Sequence, residues 1–152
     1  MEQAATIGAA EARLREDFAL LDDYRDKIEY VMDLGKRLAP LPDELKTEAS
    51  KVRGCQSQVW LVAGLDPGSG RMRLRAESDA VLVRGLIALL LELYDGRRPE
   101  EILGNPPTVL QEIGLARFLT PGRANGLEAM VARIRALAGA YAAGTGRPAP
   151  VS

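Results

Sequence analysis

The sequence predicts an α+β fold, with a small antiparallel β-sheet of about three strands and helices packed on one face. Three observations predict it. Apolar residues recur at helical spacing before Pro40 and again after Ser78, which is the signature of amphipathic helices. Between them the period shortens to two on either side of the turn cluster Asp66-Pro67-Gly68-Ser69-Gly70, which reads as a hairpin. Arg71, Arg73 and Arg75 alternate with Met72 and Leu74. One face of that strand is therefore cationic, unlike a sheet covered on both sides.

Each element follows from its residues. Leu14, Phe18 and Leu21 share one helical face, and Tyr24, Ile28, Val31, Met32 and Leu38 form the stripe of a second helix. Asp22 or Asp23 stands where a cap between them is expected. Pro40 and Pro42 end the second helix. Asp43 to Ser50 is expected to be a short polar helix. Val59, Leu61 and Ala63 alternate with Gln58, Trp60 and Val62 in the first hairpin strand. Trp60 is expected to pack on the sheet. Ser78 or Asp79 is expected to cap a long helix that reaches about Tyr94 and stops at Gly96. That helix is apolar nearly all round and should be the buried central element. Short helices are expected over Pro99 to Leu103 and Thr108 to Ile113. Thr120-Pro121 opens the last helix, with Leu127, Met130, Val131, Ile134, Leu137 and Tyr141 on its buried face. Residues 1–142 read as a single domain. Residues 143–152 are rich in Gly and Pro and read as a flexible C-terminal tail.

Composition narrows the function. The 152 residues are 47% hydrophobic and 27% charged, with a net charge of -1, so neither nucleic acid nor an anionic membrane is an expected partner. Met1-Glu2-Gln3-Ala4-Ala5 lacks a secretory pattern. The most apolar run, Ala80 to Leu93, is broken by Arg84 and Gly85 and is too short to span a bilayer. A single cysteine forms no internal disulfide. The expected location is the reducing cytoplasm.

The chain contains no histidine. A Ser-His-Asp triad and a Cys-His dyad are therefore excluded within one chain, as is a Cys/His zinc site. One thiol cannot hold an iron–sulfur cluster, and no metal site is expected. Phosphate-binding loops of the Gly-x-x-x-x-Gly-Lys-Ser/Thr and Gly-x-Gly-x-x-Gly types are absent.

What remains is Cys55, the best nucleophile in the chain, within Lys51-Val52-Arg53-Gly54-Cys55-Gln56-Ser57-Gln58-Val59-Trp60. Gly54 permits a sharp loop that presents the sulfur. Lys51 and Arg53 are cations near enough in sequence to favour a thiolate, though such residues are often merely solvated. Gln56, Ser57 and Gln58 carry groups suited to hydrogen-bonding a thiolate or the outer sulfur of a persulfide. With no resolving cysteine, an adduct on Cys55 must wait for another protein's nucleophile, which suits a carrier better than a disulfide oxidoreductase. Asp79 is read first as a helix cap. Arg123, near the start of the last helix, is disfavoured by the helix dipole and so suggests an acidic partner or a task at the site. Two other readings stay open: an adaptor in which Cys55 is structural, and an oxidant sensor acting through Cys55.

The stretch Val52 to Trp60 resembles the signature of the SufE family, including its CsdE branch. Three further segments resemble the family in its order. They are Tyr30 to Leu38, Ser78-Asp79-Ala80 with Val83 to Ala88, and Leu119 to Arg123 with Gly126 to Met130. The resemblance implies a SufE/IscU-like fold and a sulfur acceptor whose Cys55 takes sulfane sulfur from a SufS- or CsdA-type cysteine desulfurase. It also implies faster desulfurase turnover and delivery of sulfur to an iron–sulfur scaffold such as SufBCD. Pyridoxal phosphate belongs to the desulfurase, and no cofactor is implied for this chain. The resemblance places the cysteine on a loop over a cavity, from which it swings out to meet the partner. It puts Asp79 and Arg123 near that loop and the docking surface, and it allows a monomer or a homodimer. Position 53 varies in the family, so Arg53 is not implied to be essential.

Overall fold

Thr6 opens the first helix by accepting a hydrogen bond from the Ala9 N–H at 3.0 Å, a side-chain cap that satisfies one otherwise orphaned donor. The computed structural model describes residues 5–144. Helix α1 (Ile7–Ala19) buries Ile7, Ala10, Leu14 and Phe18. Asp23, rather than Asp22, caps α2 (Tyr24–Gly35) by accepting from the Asp26 N–H.

The polar helix expected over residues 43–50 is reduced to one 3-10 turn, Asp43–Leu45. The reason is local. The buried Ser50 hydroxyl donates to the Leu45 carbonyl at 2.6 Å and accepts from the Thr47 N–H at 3.0 Å. These bonds replace the helical ladder with side-chain-to-backbone turns.

Strands β1 (Val59–Leu65) and β2 (Met72–Ser78) form the hairpin, with Val59 opposite Ser78 and Leu65 opposite Met72. A third segment joins β1 only briefly. Lys51 bridges Trp60, the Val52 N–H donates to the Val59 carbonyl, and the Leu61 N–H donates to the Ser50 carbonyl. The expected third strand is thus shortened to a single bridge, because Gly54 at φ +90° turns the chain away from β1.

Val59, Leu61, Ala63, Leu74 and Ala76 face the core. Against them lies α3 (Val81–Tyr94), which buries eight residues and is the central element. Neither Ser78 nor Asp79 caps it. Its N-cap position is Ala80, without a side-chain bond. The Ser78 hydroxyl accepts from the Ala80 N–H, while the Asp79 carboxylate reaches elsewhere. At the far end Gly96 turns the chain at φ 74°. The buried Arg97 donates to the carbonyls of Leu93 and Glu92, satisfying the helix end.

Short helices α4 (Pro99–Gly104) and α5 (Thr108–Glu112) and a 3-10 turn, Leu115–Phe118, lead to α6 (Pro121–Ala142). Thr120 caps α6 by accepting from the Arg123 N–H. Leu127, Met130, Ile134 and Ala138 are its most buried side chains, with Val131, Leu137 and Tyr141 packed at the margin. Beneath the 41–46 segment the buried Glu77 accepts from the Leu41 N–H and pairs with Lys46 and Arg84. Lys46 in turn lies over the Trp60 ring, 5.5 Å from its centroid. Of the tail expected over residues 143–152, all but Ala143 and Gly144 lie outside the described residues. Among the described residues no helix is long and apolar enough to cross a membrane.

Candidate functional site on the Cys55 loop

The chain between the Lys51 bridge and β1 is a short loop whose two ends are fixed and whose middle is not. At its start the Arg133 guanidinium of α6 donates to the Ala49 carbonyl at 2.8 Å and to the Lys51 carbonyl at 3.5 Å. At its end the Asp79 carboxylate accepts from the Gln58 N–H at 3.1 Å, and the Asp79 N–H donates to the Gln58 carbonyl at 3.4 Å. Asp79 is therefore a loop anchor. Its carboxylate is taken up across the chain rather than at the helix start.

Between these anchors Cys55 is half-buried and rests on α6. Its S–H donates to the Gly126 carbonyl at 3.7 Å. A Cβ on Gly126 would lie 3.4 Å from the sulfur, so the bare backbone at that position makes the bed for the thiol. Loop residues Gln56 and Ser57 join Cys55 over a small cleft. The rest of its wall comes from Val83 and Leu86 on α3 and from Gly122, Arg123, Gly126 and Met130 on α6.

Burial pushes the Cys55 thiol above its ordinary range. Burial strips solvent from the thiolate and so favours the protonated form, which donates to the Gly126 carbonyl. The two cations nearest in sequence stand apart from this cleft. Arg53 pairs with Glu48 at 3.2 Å on the surface, and neither it nor Lys51, whose backbone bridges Trp60, lines the cleft. Arg123 is the cationic side chain in the cleft wall. At rest the site holds a neutral, half-buried thiol. Among the described residues no cluster of three or more metal-binding side chains occurs.

Two expectations follow from this geometry. The alkylation rate of Cys55 by iodoacetamide should rise with pH along a curve whose inflection lies above that of a free cysteine thiol, because burial favours the protonated form. An inflection at or below the free-thiol range would contradict the sheltered resting state. Asp79→Ala removes the Gln58 anchor and is expected to speed alkylation several-fold, with a stability loss of about 1 kcal/mol, the cost of one exposed hydrogen bond. Alkylation at the unaltered rate would remove Asp79 from loop positioning.

Several residues of this site carry no signal that points to it when the sequence is read alone. Val83, Leu86 and Met130 read as ordinary core, and Arg133 as one helix-surface cation among others. Gly122 and Gly126 leave a trace: two glycines one turn apart near the start of a long helix bare one face of its backbone.

The comparisons with known proteins agree with this architecture. Residues 12–138 match the model of a family described as SufE, an Fe-S metabolism associated domain. A protein of Rhizobium etli described as an uncharacterized SufE-like protein is 44% identical over 123 residues, which is 79% of this chain and 83% of that one. A counterpart from Rhizobium meliloti, described in the same words, is 42% identical over 123 residues, covering 79% and 88% of the two chains. The solution structure of a hypothetical protein from Thermus thermophilus superposes with a TM-score of 0.72 at 26% identity, covering 88% of this chain and 96% of that one. A cysteine loop laid on the start of a long helix, in a chain that matches this family nearly end to end, belongs to a member of the SufE family, the domain associated with iron–sulfur metabolism.

Proposed function

We propose that the protein is a sulfur carrier. It takes the outer sulfur of a cysteine desulfurase persulfide onto Cys55, stimulates that enzyme, and passes the sulfur on for iron–sulfur cluster assembly. The observation that carries this reading is the resting place of Cys55, a lone thiol on a loop held at its ends and laid over a cleft. Such a sulfur is shielded from oxidants while idle and reaches a partner when the loop moves.

The transfer balances without an outside oxidant. Cys55 loses its proton and its thiolate attacks the outer sulfur of the donor persulfide. A new S–S bond forms at Cys55, the donor's S–S bond breaks, and the donor cysteine leaves as a thiolate that regains a proton. Discharging the donor speeds a turnover limited by its persulfide. The donor is a SufS- or CsdA-type enzyme, which supplies pyridoxal phosphate; this chain needs no cofactor of its own. The onward acceptor is a scaffold such as SufBCD. A single domain working as a monomer or homodimer in the cytoplasm fits this exchange, since reducing surroundings keep the acceptor cysteine a free thiol.

The half-buried thiol also suits an adaptor whose cysteine is only structural. Steady-state alanine release by a SufS-type desulfurase, with and without the protein, separates the two. The carrier reading expects stimulation by the unaltered protein and none by Cys55→Ser. Equal stimulation by both would favour the adaptor. On this reading Arg123, the cation in the cleft wall, meets an acidic group of the partner. Arg123→Ala is expected to raise the concentration for half-maximal stimulation about tenfold, corresponding to the loss of about 1.4 kcal/mol of docking energy. An unchanged half-maximal concentration would remove Arg123 from the docking surface.

A further inference from the structure

Gln56 and Gly122 meet in the cleft wall beside Cys55, and the Gln56 side chain leaves no room for a Cβ at position 122. The Gln56 carboxamide lies directly on the Gly122 Cα, in space that a Cβ at position 122 would occupy. Gly122 sits in the first turn of α6, one turn before Gly126, which carries the Cys55 sulfur. Two neighbouring loop side chains therefore rest in one strip of bare helix backbone.

The rest of the loop middle is held by little else. Among the described residues no hydrogen bond engages the backbone of Gln56 or Ser57, and none engages the Gln56 side chain. What seats this segment on α6 is a weak S–H bond and a van der Waals contact. The carboxamide thus fills a notch while its donors and acceptor stay open to a newcomer.

We propose that the Gln56 carboxamide in the Gly122 notch is a latch that keeps the Cys55 loop closed over its cleft, and that a docking partner opens it by hydrogen-bonding the amide. This deepens the carrier reading above and rests on it for its purpose. Gln56 is a positioning residue, acting through Cys55. The latch is weak by construction. A partner that bonds the amide only in the open state shifts the loop by that difference in affinity. Without a partner the loop closes and the thiol is sheltered.

Substitution at position 122 tests this cleanly. Gly122 does not have positive φ, and what a Cβ meets there is the far end of a flexible side chain. Gly122→Ala therefore leaves the helix intact and evicts Gln56. The test is iodoacetamide alkylation of the isolated protein across pH, with thermal midpoints measured alongside. The unaltered chain, Gly122→Ala, Gln56→Ala and the double variant are compared. Both single variants are expected to alkylate about tenfold faster, equivalent to about 1.4 kcal/mol of lost closure. Their pH inflection should fall toward the free-thiol range, and the midpoints should drop by no more than a few degrees, the size that the lost closure alone accounts for. The double variant should match either single one, since both remove the same contact. Unaltered rates in the single variants, or effects that multiply in the double variant, overturn the latch. The failure of the carrier reading looks different: a chain whose latch behaves as expected but which takes no sulfur from a desulfurase overturns the carrier and leaves the latch standing.

Discussion

Cys55→Ser is expected to fold like the unaltered protein and to accept no sulfur. Structurally, the thiol is half-buried and makes one long hydrogen bond to the Gly126 carbonyl. A serine hydroxyl is close in volume and can donate to the same carbonyl, so the stability change is about 1 kcal/mol or less. For a chain of this size that is roughly 2–4 °C in thermal midpoint. Chemically, the loss is complete. The alcohol ionises far above the thiol, it forms no persulfide, and no second thiol exists in the chain. Intact mass after incubation with a desulfurase and cysteine should show an added sulfur on the unaltered chain and none on the variant. Sulfur on the variant would mean that the cargo is bound elsewhere, by something other than a covalent bond to Cys55.

Gly85→Ala is expected to be the most damaging single methyl group in the protein. Helices α2 and α3 cross where Gly35 faces Gly85. A Cβ on Gly85 would run into the Val31 carbonyl oxygen and carbon, and one on Gly35 would lie 2.7 Å from the Gly85 nitrogen. These are backbone atoms, so no side chain can turn aside to make room. The helices must separate, and each ångström forfeits packing around Val31, Leu86 and Leu89, which are fully buried. Overpacking of this kind costs about 3 kcal/mol, or roughly 6–12 °C in midpoint. The opposite effect is expected of Gly139→Ala, where a Cβ meets nothing within 4 Å, so helix propensity alone gives a small gain. Equal midpoints for the two variants in a thermal melt would contradict the close crossing.

The contrast between Gly85 and the rest of its helix illustrates what the sequence makes legible. Periodicity reveals an element that buries one stripe or all of its surface. Hence α3, α6 and the hairpin can be read directly from Leu and Val spacing. Periodicity does not reveal which elements touch, and Gly85 reads only as an interruption of an apolar run. The failures around the site have the same origin. Residues 43–50 look helical until Ser50 turns its hydroxyl onto Leu45. Asp79 has the chemistry of a cap, and the Gln58 N–H that claims it lies 21 residues away. Cys55 is legible because it is the one thiol in a chain without histidine. Its burial is not, because the cleft wall is made by Val83, Leu86 and Met130, side chains whose pattern means only "inside". Lys51 and Arg53 are neighbours of the sulfur in sequence, but Arg53 is drawn to Glu48 and neither lines the cleft.

The most direct measurement is a single turnover. A SufS-type desulfurase is first charged to its persulfide with cysteine and freed of excess substrate. It is then mixed with an equal amount of this protein, and both intact masses are followed in time. One sulfur atom should leave the donor and arrive on the peptide that contains Cys55, with no other residue modified. A donor that keeps its persulfide, or loses it while Cys55 stays a plain thiol, would contradict the account.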